Sequence, residues 1–167
     1  MGRAALLAGA ASMLGRFSGL ARDIVFTAFF GAGATADAFL AAFRVPNLFR
    51  ELLAEGTLAN VFVPIFAETG EREGWQRAAA LANAMLGFLL LILGAVTLLF
   101  FAFAEQFVTL VAAGFLENPD KFALTVWLTR WLAPFLAGLS IASFFGGMLN
   151  VRGRFFLPAL APSILNL

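Results

Sequence analysis

Asp37–Pro64 reads DAFLAAFRVPNLFRELLAEGTLANVFVP, and the assignment of the whole chain turns on this stretch. It is long and apolar enough to cross a bilayer, yet it holds Asp37, Arg44, Arg50, Glu51 and Glu55. At about 100° per residue, Asp37, Arg44, Glu51 and Glu55 fall within about 40° of one another on one helical face. Asn47 lies at the edge of that face and Arg50 round the side. A charge at mid-membrane costs from about 3 to above 10 kcal/mol, so such residues face a watery cavity or a partner. Pro46 has no amide hydrogen and disfavours helix at Arg44–Val45, which predicts a bent or loosened backbone there. Two readings follow: a broken span whose charges line a substrate site, or a polar helix of a soluble protein between two loops.

Composition decides between them. The chain is 62% hydrophobic and 13% charged, with 21 Phe, where a soluble domain carries about 25% charged residues. Mean hydropathy is +0.92. No water-soluble fold of 167 residues buries that much apolar surface. The chain reads as an integral membrane protein, all-α, a polytopic bundle of transmembrane helices. With no His and no Cys, thiolate or imidazole metal sites, Cys or Ser–His nucleophiles and disulfides are excluded, and no cofactor is implied. A net charge of +1 without any basic run gives no footing for nucleic acid.

Working outward, Ala4–Phe30 is a first span whose middle carries Arg16, Arg22 and Asp23. Gly9, Ser12, Arg16, Gly19 and Asp23 share one helical face, which predicts close helix approach beside a polar lumen. The small residues of Gly31–Ala36 form a turn and predict an antiparallel pairing of the first two spans. The second span covers 35–66, and the polar Glu68–Arg77 is an aqueous loop with Trp75 as interfacial anchor. Ala78–Ala104 has no charged residue and forms a third span facing lipid. Glu105–Lys121 is a loop whose first half lies as a short helix in the interface. Residues 122–151 form a fourth span with Arg130 as its one charge and Pro134 as a kink. Phe155–Leu167 begins a partial fifth (156–167) that falls short of the roughly 20 residues needed to cross, so the sequence is expected to be a fragment. With a cytoplasmic N-terminus, Arg3, Arg72, Arg77, Arg152 and Arg154 lie inside against Lys121 alone outside, which satisfies the positive-inside rule.

Several stretches resemble the MurJ (MviN) family of lipid II flippases, within the multidrug/oligosaccharidyl-lipid/polysaccharide exporter superfamily. They are GRFSGLARD (Gly15–Asp23), FGAGATADAFLAAFRVPNLFRELLAEG (Phe30–Gly56), FVPIFAE (Phe62–Glu68), DKFALT (Asp120–Thr125) and LNVRGRFFLPALAP (Leu149–Pro162). The DAF…PN…R…EG combination is the specific part. The resemblance implies a multi-pass protein of the bacterial cytoplasmic (inner) membrane that flips lipid II for cell wall synthesis. The family's plan has about fourteen helices in an inverted-V transporter, so this chain resembles the first four and the start of the fifth. The rest of the polypeptide beyond Leu167 would supply the second half of the cavity. The resemblance further implies that Arg16, Arg22, Asp37, Asn47, Arg50 and Glu55 line the central cavity, with Arg44 standing where the family has a basic residue. Gly15 departs from relatives that carry Ser just before the first cavity arginine.

The chemistry of that substrate suits the residues. Lipid II carries a pyrophosphate, and guanidinium groups grip phosphate oxygens through a planar fork while staying charged. Arg16, Arg22, Arg44 and Arg50 are matched by Asp23, Asp37, Glu51 and Glu55, which hold the arginines until substrate arrives. Against the binding role stands a structural one, in which Arg16, Arg50 and Asp37 are fold-stabilising ion pairs. Glu51 reads as a rim residue, Asp23 as the local partner of Arg22, and Asn83 as a bond to a neighbouring helix. Arg130 either snorkels or serves the site. Two other functions stay open from the residues alone. One is an ion-coupled antiporter using Asp37 or Glu55, disfavoured for cationic cargo by the arginines. The other is a non-transporting membrane scaffold, which has no use for so many charges. An enzyme lacks a nucleophile–base pair or metal set.

Overall fold

The computed structural model describes residues 2–52 and 60–166. Among them are α1 (Gly2–Phe30), α2 (Ala34–Arg50), α3 (Val63–Arg72), α4 (Trp75–Ala102), α5 (Ala104–Val111), α6 (Pro119–Val151) and α7 (Phe156–Asn166), with a 3-10 turn at Ala113–Glu117. No described residue lies in a strand. α4 and α6 are long and apolar enough to cross a membrane, and only 17% and 22% of their apolar windows are buried. The core helix of a soluble protein would be mostly buried, whereas α4 turns Phe88, Leu90, Leu91, Leu98 and Leu99 outward. That surface requires a lipid solvent. The protein is an all-α membrane helix bundle.

Side-chain contacts fix the directions of the helices. Asp37 meets Lys121, Phe62 stacks on Phe144, and Val63 lies under Gly147, so α2 and α3 run parallel to α6. α4 runs the other way, since Arg152 covers Trp75 and Phe101 meets Trp131. α7 folds back on α6, with Gly146 against Pro158, and α1 runs parallel to α7, with Gly15 beside Ser163 and Gly19 beside Asn166. Successive long segments therefore alternate in direction. Arg72, Arg77, Arg152 and Arg154 gather at one end together with the start of α1, and Lys121 stands at the other.

The core between α3, α4 and α6 consists of Phe62, Phe66, Ala78, Ala82, Leu89, Leu93 and Phe144. The buried hydroxyls of Thr125, Thr129 and Ser140 donate to the carbonyls of Lys121, Thr125 and Leu136 at 2.7, 2.9 and 3.1 Å. Their own helix thus satisfies them without any partner from lipid.

Three expectations change. α2 runs through Pro46 as regular helix, and the departure comes later, where residues 51–52 and 60–62 take the wider π-helical form. The amide of Glu51 is there shared between the carbonyls of Asn47 and Leu48. Pro46 costs only its own hydrogen bond, and its buried ring is held by neighbouring helices.

The polar segment Glu68–Arg77 is mostly helix rather than loop, broken only at Glu73–Gly74. The ion pair Glu68–Arg72 (2.9 Å), at i,i+4 within α3, supports the helical form, and Glu73–Arg77 (3.0 Å) ties the turn to the first turn of α4. Gly74 supplies the positive φ of 94° that turns the chain between α3 and α4.

The first two segments do not pack as a pair. α1 lies along α7 and α2 along α6, and α1 meets α2 near their shared turn, where Phe26 and Phe39 rings are 5.4 Å apart. Close approach on α1 uses Ala11, Gly15 and Gly19, facing α7, whereas Gly9 has nothing near it and Ser12 and Arg16 are exposed. The small residues accept α7 because α7 brings small residues and an amide to meet them.

Candidate functional site

The α2 periodicity places Asp37, Leu40, Arg44, Asn47, Leu48 and Glu51 along one side. That side forms a groove of about 800 Å³ whose far wall is Val111, Ala112 and Phe115, from the end of α5 and the 3-10 turn. Both signs of charge line it, and apolar rings border it. Arg50 points the other way, into a void of about 20 Å³ among Phe49, Phe100, Ala133 and Ser140.

Each charged group in and around the groove is held differently. Lys121 Nζ donates to Asp37 Oδ2 at 2.8 Å and lies 3.9 Å from the Phe115 ring centroid. The Lys121 side chain is 16% exposed and the Asp37 side chain 53%, so the carboxylate keeps an open face toward the groove. Asn118 caps α6 by accepting from the Lys121 amide at 3.1 Å, which sets the lysine on the first turn. At the other end, Arg50 Nε donates to Asn47 Oδ1 (2.9 Å) and Asn47 Nδ2 donates to Glu51 Oε1 (2.6 Å). Arg50 also lies 3.9 Å from Glu51. Asn47 thus spans an arginine and a carboxylate, so Glu51 is tied into the rim. Arg44 lies between these two clusters, exposed, with no hydrogen bond or ion pair among the described residues.

On α1, Arg22 Nε and Nη2 donate to Asp23 Oδ1 at 3.1 and 2.8 Å, and Nη1 donates to Asn166 Oδ1 of α7 at 2.8 Å. Asp23 is therefore a local partner. Arg16 is exposed and makes no hydrogen bond or ion pair among the described residues. Of the seven residues singled out in the sequence, the groove brings together Asp37, Arg44 and Asn47. Arg50 joins them through Asn47, whereas Arg16 and Arg22 stand apart on α1. Glu55 lies outside the described residues. Arg130 pairs with Glu105 at the start of α5, 3.4 Å away, and takes no part in the groove.

Sequence reasoning missed two partners. Lys121 looked like a loop residue marking the outer end, and its only local signal was the Asn118–Pro119 helix start. Asn166 had no signal at all, since its partners Gly15, Ser18 and Arg22 lie on the first helix. Among the described residues no cluster of His, Cys, Asp or Glu is placed to hold a metal ion. The arrangement offers fixed and open cations beside an apolar-rimmed groove, which suits an amphiphilic anion.

Comparison with known proteins places the chain among relatives of one family. The family model described as Lipid II flippase MurJ matches residues 26–167. The chain is 38% identical over 164 residues to the lipid II flippase MurJ of Burkholderia cenocepacia, covering 98% of this chain and 32% of that protein. It is 40% identical over 166 residues to the probable lipid II flippase MurJ of Bdellovibrio bacteriovorus, with 98% and 32% covered. For the probable lipid II flippase MurJ of Rhizobium tropici the figures are 39% over 160 residues, with 95% and 30% covered. The chain spans about a third of the length of these curated relatives.

Proposed function

This chain belongs to the MurJ family of lipid II flippases, and we propose that it carries one wall of a cavity that moves lipid II across the bacterial inner membrane. Lipid-linked peptidoglycan precursor passes from the cytoplasmic to the outer leaflet by alternating access, and polypeptide beyond Leu167 supplies the opposing wall. The spans are α1, the α2–α3 segment, α4, α6 and the partial α7, with the N-terminus cytoplasmic. The gathering of Arg72, Arg77, Arg152 and Arg154 at one end against Lys121 at the other supports that orientation.

The observation that carries the reading is the α2 groove, where Asp37, Arg44 and Asn47 share a wall of about 800 Å³ with apolar neighbours. Intramembrane charges facing a cavity mark substrate paths. Arg44 and Arg16 are exposed and unengaged among the described residues, so their forks are open to phosphate oxygens. Asp37, Asn47 and Glu51 hold Lys121 and Arg50 in place, so the cavity is not a bare basic cluster that would trap its ligand. The pyrophosphate contacts are assigned to Arg16 and Arg22 on α1 and to Arg50, which has to turn out of the void behind α2 to reach them; Arg44 adds charge within the groove, and Glu55 serves as a further carboxylate.

The test rests on the difference between a fork and a point charge. An ion-pair strut tolerates lysine, whereas a two-point phosphate contact does not. Loss of one charge-assisted bond costs about 1.5–3 kcal/mol, or roughly ten- to a hundredfold in binding. Cells depleted of their own flippase are complemented with Arg16→Lys, Arg22→Lys and Arg50→Lys, with membrane levels followed by blotting. Normal accumulation with impaired lipid II flipping is expected for at least two of the three. Full flipping by all three would overturn the phosphate role and leave the arginines as struts.

A further inference from the structure

We propose that Asn166 is a positioning residue for Arg22, fixing its guanidinium from across the α1–α7 seam so that the donors left over meet a phosphate. This rests on the reading of Arg22 as a phosphate-binding group. A guanidinium has five N–H donors. Two of Arg22's go to Asp23 Oδ1 and one, from Nη1, to Asn166 Oδ1. One N–H therefore remains on each terminal nitrogen, on a side chain that is 55% exposed, and such a pair suits an anionic oxygen ligand.

Asp23 alone does not hold that geometry. It is the next residue along the same helix and its side chain is 65% exposed, and solvent-exposed pairs of this kind restrain little. Asn166 adds a second point of attachment from a different helix. Its own amide is pinned, because Nδ2 donates to the Gly15 carbonyl at 3.1 Å and to Ser18 Oγ at 3.2 Å. Those two acceptors settle which way the amide faces, so its oxygen is turned toward Arg22. The approach needs a bare α1 surface. A Cβ on Gly19 would lie 3.3 Å from Asn166 Nδ2, closer than the amide tolerates without shifting. Gly19, Ser18, Asn166 and Arg22 thus form one connected device, and an apolar residue at 166 would pack the seam while leaving the arginine on Asp23 alone.

A double-mutant cycle separates positioning from packing. Lipid II affinity and melting midpoint are measured on the purified flippase carrying this segment, as wild type, Arg22→Ala, Asn166→Ala and the double variant. Asn166→Ala is expected to weaken lipid II binding about five- to tenfold in wild type and less than about twofold once Arg22 is gone. Asn166→Gln, which keeps both amide functions, should recover most of the loss. Equal losses in both backgrounds, or no loss from Asn166→Ala, would overturn the positioning role while leaving Arg22 as a ligand group. An Arg22→Ala variant that binds lipid II as well as wild type would sink the phosphate reading itself, and this proposal with it. If Asn166→Ala does not accumulate, Asn166→Thr enters the same cycle with the same outcomes.

Discussion

Gly15 stands in the α1–α7 seam beside Pro162 and Ser163, and its environment makes a sharp expectation. A Cβ there would sit 3.4 Å from Pro162 Cβ and 3.5 Å from Ser163 Oγ, both ordinary contacts. Ser163 is 3% exposed and its hydroxyl has no hydrogen-bond partner among the described residues, a costly state in an apolar seam. Gly15→Ser should supply that partner and also remove a mid-helix glycine, each contributing on the order of 0.5–1 kcal/mol. A rise of roughly 2–8 °C in the melting midpoint is the expected readout, and an unchanged or lower midpoint would count against the seam. At this scale the sequence was legible wherever one helix sets the geometry. The shared face of Asp37, Arg44 and Glu51 follows from helical periodicity, and so do Arg50's position round the side and Asp23's place beside Arg22. It was illegible wherever a second element completes the contact. Lys121 and Asn166 reach their partners only after α6 and α7 have packed, and no local pattern encodes that.

Among the elements, α3 and α6 make one tight contact where a Cβ on Gly147 would lie 2.7 Å from Val63 Cγ2. Val63 is β-branched and held to few rotamers in a helix, so it cannot swing aside. Gly147→Ala should therefore cost about 1–3 kcal/mol by overpacking. Adding Val63→Ala should restore most of the loss, because it removes the clashing methyl. Thermal unfolding of the two singles and the double variant checks this, and additive destabilisation would contradict the contact. The places where sequence reasoning failed also belong to this scale. Pro46 and the charged run Glu68–Arg77 carry breaker and loop signals, yet packing surrounds Pro46 and the i,i+4 pair Glu68–Arg72 supports helix on the near side of the Glu73–Gly74 break. The pairing of α1 with α7 overrode the short Gly31–Gly33 connection, because small residues on α1 match α7 rather than α2.

Across the whole molecule, alternating helix directions leave Glu73 exposed at the arginine-rich end and Glu117 exposed at the Lys121 end. The chain has no Cys, so Glu73→Cys and Glu117→Cys give clean reporters. Gly74 itself is avoided because its φ of 94° strains any side chain. Impermeant maleimide on intact cells should label Glu117→Cys and spare Glu73→Cys, and labelling of both from one side would contradict the proposed orientation. α6, at 33 residues, is about 50 Å long against a hydrocarbon core of about 30 Å. It is therefore long enough to extend past the apolar layer, and the groove lies beside its Lys121 end. The central claim is that the α2 groove receives lipid II. A photoreactive benzoyl-phenylalanine at Leu40 or Leu48, both exposed in the groove, is compared with one at Leu91 on the outer face of α4. On irradiation in cells, the groove positions should capture head-group-labelled lipid II well above Leu91. Capture at Leu91 equal to or greater than that at Leu40 and Leu48 would contradict the account.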